Sequence, residues 1–185
     1  MTEVQKYLKE AHERMLEFEK QHDPERLREA DRALENVELV KVVDPKVRVR
    51  LRAECLGTWL ELVALLDRSI DPGFNPNDFP SKQVEPPAIP GAPALEPGAD
   101  PAQIRDPVAR AAYERAIAAN RAKTENYRVQ TQLRRIGERV YPQSEIFIRR
   151  YYKAAPADQR ELNEAVGRII KDPDRKTRLS GLLAQ

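Results

Sequence analysis

Cysteine is almost absent. The single residue, Cys55, cannot form an intramolecular disulfide, so the fold must be held by apolar burial rather than covalent staples, and a reducing, cytoplasmic setting is the default expectation. Glycine is scarce, and its seven copies are scattered singly. There is no GxGxxG and no GK[ST], which removes the two common designs that let a phosphate approach the backbone. Ser69, Ser81, Ser144 and Ser180 have no nucleophile-elbow sequence around them, so acyl chemistry of that type is excluded. No stretch approaches the roughly 20 apolar residues of a membrane span, and the first residues, Met1-Thr2-Glu3-Val4-Gln5-Lys6, do not read as a secretory signal. The formal net charge is only +2, so no global polyelectrolyte character points to nucleic acid or membrane.

Histidine is equally sparse, with His12 and His22 the only two. A di-iron bundle needs ExxH on two helices; Glu19-Lys20-Gln21-His22 supplies one, but Lys9 stands three residues before His12. Half of the constellation is missing, and both histidines read as solvated surface residues. Cys55 follows Arg48 and Arg52 but falls among apolar residues, the setting of a small buried hydrophobe rather than a nucleophile. No cofactor, metal site or catalytic residue is expected, and the chain reads as non-enzymatic.

What the sequence does contain is helical periodicity. Residues 44 to 71 hold the strongest example, with Leu51, Cys55, Trp59, Leu62, Val63, Leu66 and Ile70 on one face and Leu56, Leu60 and Leu65 widening it. Glu54, Glu61 and Arg68 form a narrow polar strip. A helix apolar around most of its circumference must be covered by other helices, so this segment is the expected core. Upstream, Thr2 and Gln5 have capping-box spacing, and Val4, Leu8, Ala11, Met15 and Phe18 recur at threes and fours. Asp23-Pro24 restarts the pattern with Leu27, Ala30, Leu34 and Val37, which predicts an antiparallel helical hairpin. The β-branched run at 37–51 leaves a β-hairpin around Asp44-Pro45 as the alternative, although proline cannot supply the positive φ of the tight hairpin turns.

Residues 72–106 change character. Nine of the fifteen prolines fall there, so helix is excluded and polyproline II or irregular chain is expected. Phe74, Phe79, Val84, Ile89, Leu95 and Ile104 are spread through the same stretch, and a freely solvated spacer has no use for them. The segment reads either as a strap laid on the helices or as a linker. Pro87, Pro90 and Pro93 match PxxP spacing without the basic residues that accompany such ligands.

After Asp106-Pro107 comes the longest helical pattern, expected to close at Gly137 and Pro142. Its first half aligns Tyr113, Ile117, Asn120, Thr124 and Tyr127, whereas Val129, Leu133, Ile136 and Val140 fall about 180° away on an ideal wheel. Such a helix either breaks near Arg128 or meets two different partners. Shorter helices are expected from Pro142 to about Lys153, after Pro156, and after Asp172-Pro173. The fold class is therefore all-α: a bundle of about seven helices, with a three-helix unit at 1–71, a proline-rich strap at 72–106 and a helical unit at 107–185, the two helical units packed into one assembly.

Charge is segregated along the chain: residues 1–71 sum to −3, 72–106 to −3, 107–153 to +7 and 154–185 to +1. Two candidate surfaces follow. Tyr113, Asn120, Thr124 and Tyr127 put polar, uncharged groups on an inward line, where they either satisfy one another or meet a protein partner. Arg134, Arg135, Arg139, Arg149, Arg150, Tyr152 and Lys153 combine phosphate-binding cations with aromatics suited to stacking on bases. The first supports a non-catalytic protein-interaction or adaptor module, with a protein partner or a second copy as its target. The second supports a nucleic-acid-associated protein.

Overall fold

The structure is a computed structural model; it describes residues 2–41, 45–151 and 173–183, together with residues 160, 164 and 167, and omits the side chains of 45–53 and 147–151 among others. The helices are α1 (Glu3–Gln21), α2 (Pro24–Leu39), α3 (Pro45–Ser69), α4 (Pro107–Tyr151) and α5 (Pro173–Leu183), with a 3-10 turn at Pro101–Gln103. The chain is all-α, with no strand among the described residues. It divides into two units, residues 1–72 with 132–185, and residues 73–131. No helix among the described residues is long and apolar enough to cross a membrane.

In the first unit, α1 begins with the capping box its sequence spells. Thr2 Oγ1 accepts from the Gln5 N–H at 3.3 Å, and Gln5 Oε1 accepts from the Thr2 N–H at 3.0 Å, so two orphan donors are satisfied reciprocally. His22 closes the helix in the left-handed region, φ 55°, its N–H donating to Phe18 O at 2.7 Å. Asp23 then caps α2 through Oδ1, accepting from the Glu25 N–H at 3.2 Å with Pro24 at the first position. Arg14 reaches Glu29 at 3.1 Å and Arg26 reaches Glu17 at 3.6 Å. These pairs have a constant index sum, so α1 and α2 are antiparallel. The α1 residues His12 and Glu19 pair with Glu61 and Arg68 of α3; there the index difference is constant, so α1 and α3 run parallel.

The core lies where periodicity put it. Val4, Leu8, Ala11, Met15 and Phe18 of α1, and Leu27, Ala30 and Leu34 of α2, are buried, and α3 buries Cys55, Leu56, Trp59, Leu60 and everything from Leu62 to Leu66. Val47–Leu51 belong to α3 rather than to a hairpin; residues 42–44 lie outside the described residues.

Two expectations about the C-terminal half are corrected. The bundle has fewer helices than about seven among the described residues, because α4 runs without interruption from Pro107 to Tyr151 through both Arg128 and Pro142. Proline removes one i→i−4 hydrogen bond and crowds the preceding turn. The helix nonetheless continues past it, and the turns that lead up to it are anchored in the first unit by buried Leu133, Ile136 and Val140. Gly137 sits close to its surroundings there: a Cβ would meet Tyr141 Cε2 at 3.0 Å and Ile70 Cδ1 at 3.4 Å. The helix expected after Pro156 lies largely outside the described residues.

In the second unit, residues 73–106 follow a defined path punctuated by tight turns. Ala92 N–H donates to Ile89 O at 3.1 Å and Ala99 N–H to Glu96 O at 3.0 Å. Each turn has Pro-Gly at its centre, and the glycines adopt φ +76° and +80°, the positive φ that a type II turn demands at that position. Ile89-Pro90-Gly91-Ala92 and Glu96-Pro97-Gly98-Ala99 are thus the same device seven residues apart. Asp100 caps the 3-10 turn and Asp106 caps α4 through Oδ1, accepting from Val108 N–H at 3.1 Å. The first of these Pro-Gly turns also crosses the Pro87, Pro90, Pro93 series, so those prolines do not form one continuous polyproline helix.

Candidate interaction site: a side-chain ladder on α4

The inward line of α4 in the second unit is a row of hydrogen-bond donors. Tyr113 Oη donates to Val84 O at 3.2 Å, Asn120 Nδ2 to Ser81 O at 2.9 Å, and Tyr127 Oη to Pro76 O at 2.7 Å. Helix numbers rise as strap numbers fall, so the strap runs antiparallel to α4. The spacing is set by geometry. Seven residues of α-helix rise about 10.5 Å, about the reach of three extended residues, and between Ser81 and Val84 the chain bends at Lys82 and Gln83. Ser81 to Pro76 is five residues, and the surplus is taken up by a turn in which Asp78 N–H donates to Asn75 O at 3.1 Å and Asn77 N–H to Asn75 Oδ1 at 3.0 Å.

Aromatic contacts reinforce the far rung. Phe74 and Phe79 place their ring centroids 5.3 Å and 5.0 Å from that of Tyr127, within the range of favourable tilted and edge-to-face pairs. Phe79 is still 59% exposed. At the near end Val84 O also accepts from Gly98 N–H at 3.0 Å, which fills both lone pairs of that carbonyl. Arg110 reaches back from the first turns of α4 to Ile104 O, at 2.9 Å from Nε and 2.7 Å from Nη2, and Ile104 is buried. An open cavity of about 720 Å³ lies within this segment, lined by residues 86–95 and 103–106.

Of the four residues on the polar stripe, Tyr113, Asn120 and Tyr127 grip the strap. Thr124 does not: its Oγ1 donates to Asn120 O of its own helix at 2.9 Å. All three donors meet main-chain carbonyls of the chain's own proline-rich segment.

The basic cluster is not brought together in this way. Arg139 is committed to the first unit, where Nε and Nη2 contact Asp31 Oδ2 at 2.6 Å and 2.5 Å and Nη2 meets Glu35 Oε2 at 2.9 Å. Asp31 is 1% exposed, and its Oδ1 has no hydrogen-bond partner among the described residues. Burial raises its carboxyl pKa to about 6, against the lowering pull of Arg139. Arg134 is half-buried and Arg135 exposed. The side chains of Arg149 and Arg150, and all of Tyr152 and Lys153, lie outside the described residues.

One cluster had no signal in the sequence. His12 Nδ1 lies 3.1 Å from Glu61 Oε2, and its Nε2 lies 3.4 Å from Thr58 Oγ1. His12 is 47% exposed, a surface residue whose ring joins α1 to α3. Carboxylate, imidazole and hydroxyl in series are the parts of a nucleophilic relay. Here Thr58 is buried at 3% exposure and donates its proton to Glu54 O at 3.0 Å, so the hydroxyl is neither accessible nor poised. His22 closes α1 with its ring edge-on to Phe18, centroids 6.2 Å apart. Cys55 is buried at 1% exposure, and no group of three or more metal-binding side chains occurs among the described residues.

Comparison with known protein families, with curated proteins and with solved structures found no match.

Proposed function

We propose that this chain is a non-catalytic protein-interaction module whose working surface is the second unit. The observation that supports it most is the ladder of Tyr113, Asn120 and Tyr127, which spends three side-chain hydrogen bonds on ordering a segment that buries no side chain of its own between residues 73 and 103. A segment with so little apolar burial contributes little to folding, and holding it in one path lowers the ordering cost of any contact it later makes. Exposed Phe79 beside Tyr127 adds the kind of aromatic anchor that interfaces favour. Arg139, tied to Asp31 and Glu35, weakens the nucleic-acid reading, since its guanidinium is spent within the fold.

The test is affinity capture and sedimentation with the full chain and with Tyr127→Ala. The expected result is a stoichiometric partner, either another protein or a second copy, whose binding falls at least tenfold in the variant while circular dichroism keeps its helical signal. Equal binding by both proteins, or neither partner nor self-association, would count against the proposal.

A further inference from the structure

Asp31 breaks the ordinary rule for charged side chains. It is 1% exposed, and carboxylates are almost never fully buried unless paired. The pairing it has is one-sided. Arg139 Nε and Nη2 both contact Oδ2, at 2.6 Å and 2.5 Å, and Oδ1 is left with no hydrogen-bond partner among the described residues. Arg139 is itself 47% exposed and also meets Glu35 Oε2 at 2.9 Å, so one cation is divided between two carboxylates a turn apart on α2. Glu35 and Arg32 act on Asp31 from its own helix and Arg139 from α4, with exposed Arg135 one turn before Arg139. On α1, the antiparallel pairing that sets Arg14 beside Glu29 and Glu17 beside Arg26 places His12 at the level of Asp31. The His12 ring is committed to Glu61 of α3.

An ionised carboxylate in such a place carries a desolvation cost that one shared arginine does not offset, and burial raises its proton affinity more than Arg139 lowers it. Two events relieve that cost. Water reaches Asp31 if α4 lifts from α2, or a proton binds Asp31 while the helices stay together. From this geometry we infer that the Asp31–Arg139 contact is a proton-tightened joint: a minor population of the folded protein opens between α2 and α4 at neutral pH, and proton uptake by Asp31 holds the two helices together. The sense is opposite to that of an exposed ion pair, which acid weakens. The closed state binds the proton more tightly than the open one, so its advantage is full in acid and falls away as Asp31 ionises. The joint belongs to the first unit and is independent of the interaction reading of the second.

Native-state amide hydrogen exchange of the full chain tests the joint, read residue by residue at pH 5 and pH 7, corrected for intrinsic rates and repeated in low urea. At pH 7 the amides of residues 133–140 are expected to exchange through an opening insensitive to urea, the mark of a local event. Their protection is expected to rise at least fivefold at pH 5. Asp31→Asn carries a neutral group at every pH, so its protection at pH 7 is expected to equal that at pH 5. Arg139→Gln removes the cation, and protection at pH 7 is expected to fall at least threefold. Exchange of 133–140 only through urea-sensitive global unfolding at pH 7 would overturn the inference, as would equal wild-type protection at the two pH values. A pH dependence that survives in Asp31→Asn would assign the proton to His12 or Glu35 and overturn it equally. If Asp31→Asn does not fold, ¹³C titration of the wild-type Asp31 carboxyl decides. A midpoint coinciding with that of the change in protection supports the joint, and one in the ordinary carboxylate range removes it.

Discussion

At the scale of single residues, Asp31 is the most informative. Its carboxyl is buried and its pKa stands near 6, above the ordinary 3.8, so the folded protein holds this proton more tightly than the unfolded chain does. The contribution of Asp31 to stability is therefore full below about pH 4, where both states are protonated, and is lost as pH rises through about 6. The difference amounts to roughly 3 kcal/mol at most. Asp31→Asn mimics the neutral acid, so its melting temperature relative to wild type is expected to be higher at pH 7 than at pH 4. Equal differences at the two pH values would contradict this. Arg139→Gln is expected to steepen the wild-type pH dependence, because it removes the cation that lowers the carboxyl pKa. His12 belongs to a milder class. Its pair with Glu61 is half-exposed on both sides, and His12→Ala is expected to cost less than about 1 kcal/mol in denaturant unfolding; a larger loss would mean that the clasp does more than join two exposed groups.

Elements show which parts of the fold the sequence spells out. The capping box of α1, the Asp-Pro starts and the apolar stripes of α1 to α3 were legible because each is a local rule: a cap three residues from its partner, or a repeat at threes and fours. Pro142 was misleading for the same reason. Local chemistry favours a helix end there, yet α4 runs on to Tyr151. Pro142→Ala is thus expected to raise the melting temperature, by an amount corresponding to about 1–3 kcal/mol; an unchanged or lower value would show that the helix is not strained at that point. The Pro-Gly turns at 90–91 and 97–98 went unread among the nine prolines, and the apolar residues of the segment suggested a strap on the helices as one of two readings without saying how it docks. Its acceptors are backbone carbonyls, which every residue possesses, so no residue type at 76, 81 or 84 announces the contact. Only the donors Tyr113, Asn120 and Tyr127 left a trace, as polar groups seven apart on one line. Lys82 is the only trypsin site between residues 73 and 104. Tyr127→Phe removes one hydrogen bond worth about 1 kcal/mol net, so cleavage at Lys82 under native conditions is expected to quicken roughly fivefold. Cleavage at the wild-type rate would place no weight on that rung.

Across the whole molecule, the sequence offered two surfaces, and the structure treats them unequally. Charge segregation along the chain is real, but within the first unit it is partly used up in pairs such as Arg139 with Asp31 and Glu35, and in the second unit an acidic strap is held on a more basic helix. Segments of opposite sign meeting within one chain need no nucleic acid to explain them. In the second unit the ladder on α4 orders the strap. Backbone order parameters from ¹⁵N relaxation at Ser81, Lys82, Gln83 and Val84 test it most directly, in wild type and in the Tyr113→Phe, Asn120→Ala, Tyr127→Phe triple variant. The expected result is values near 0.85, those of rigid backbone, in wild type and a fall below about 0.6 in the variant, with α4 unchanged. Strap values below about 0.6 in wild type, or no change on removing the rungs, would contradict the claim.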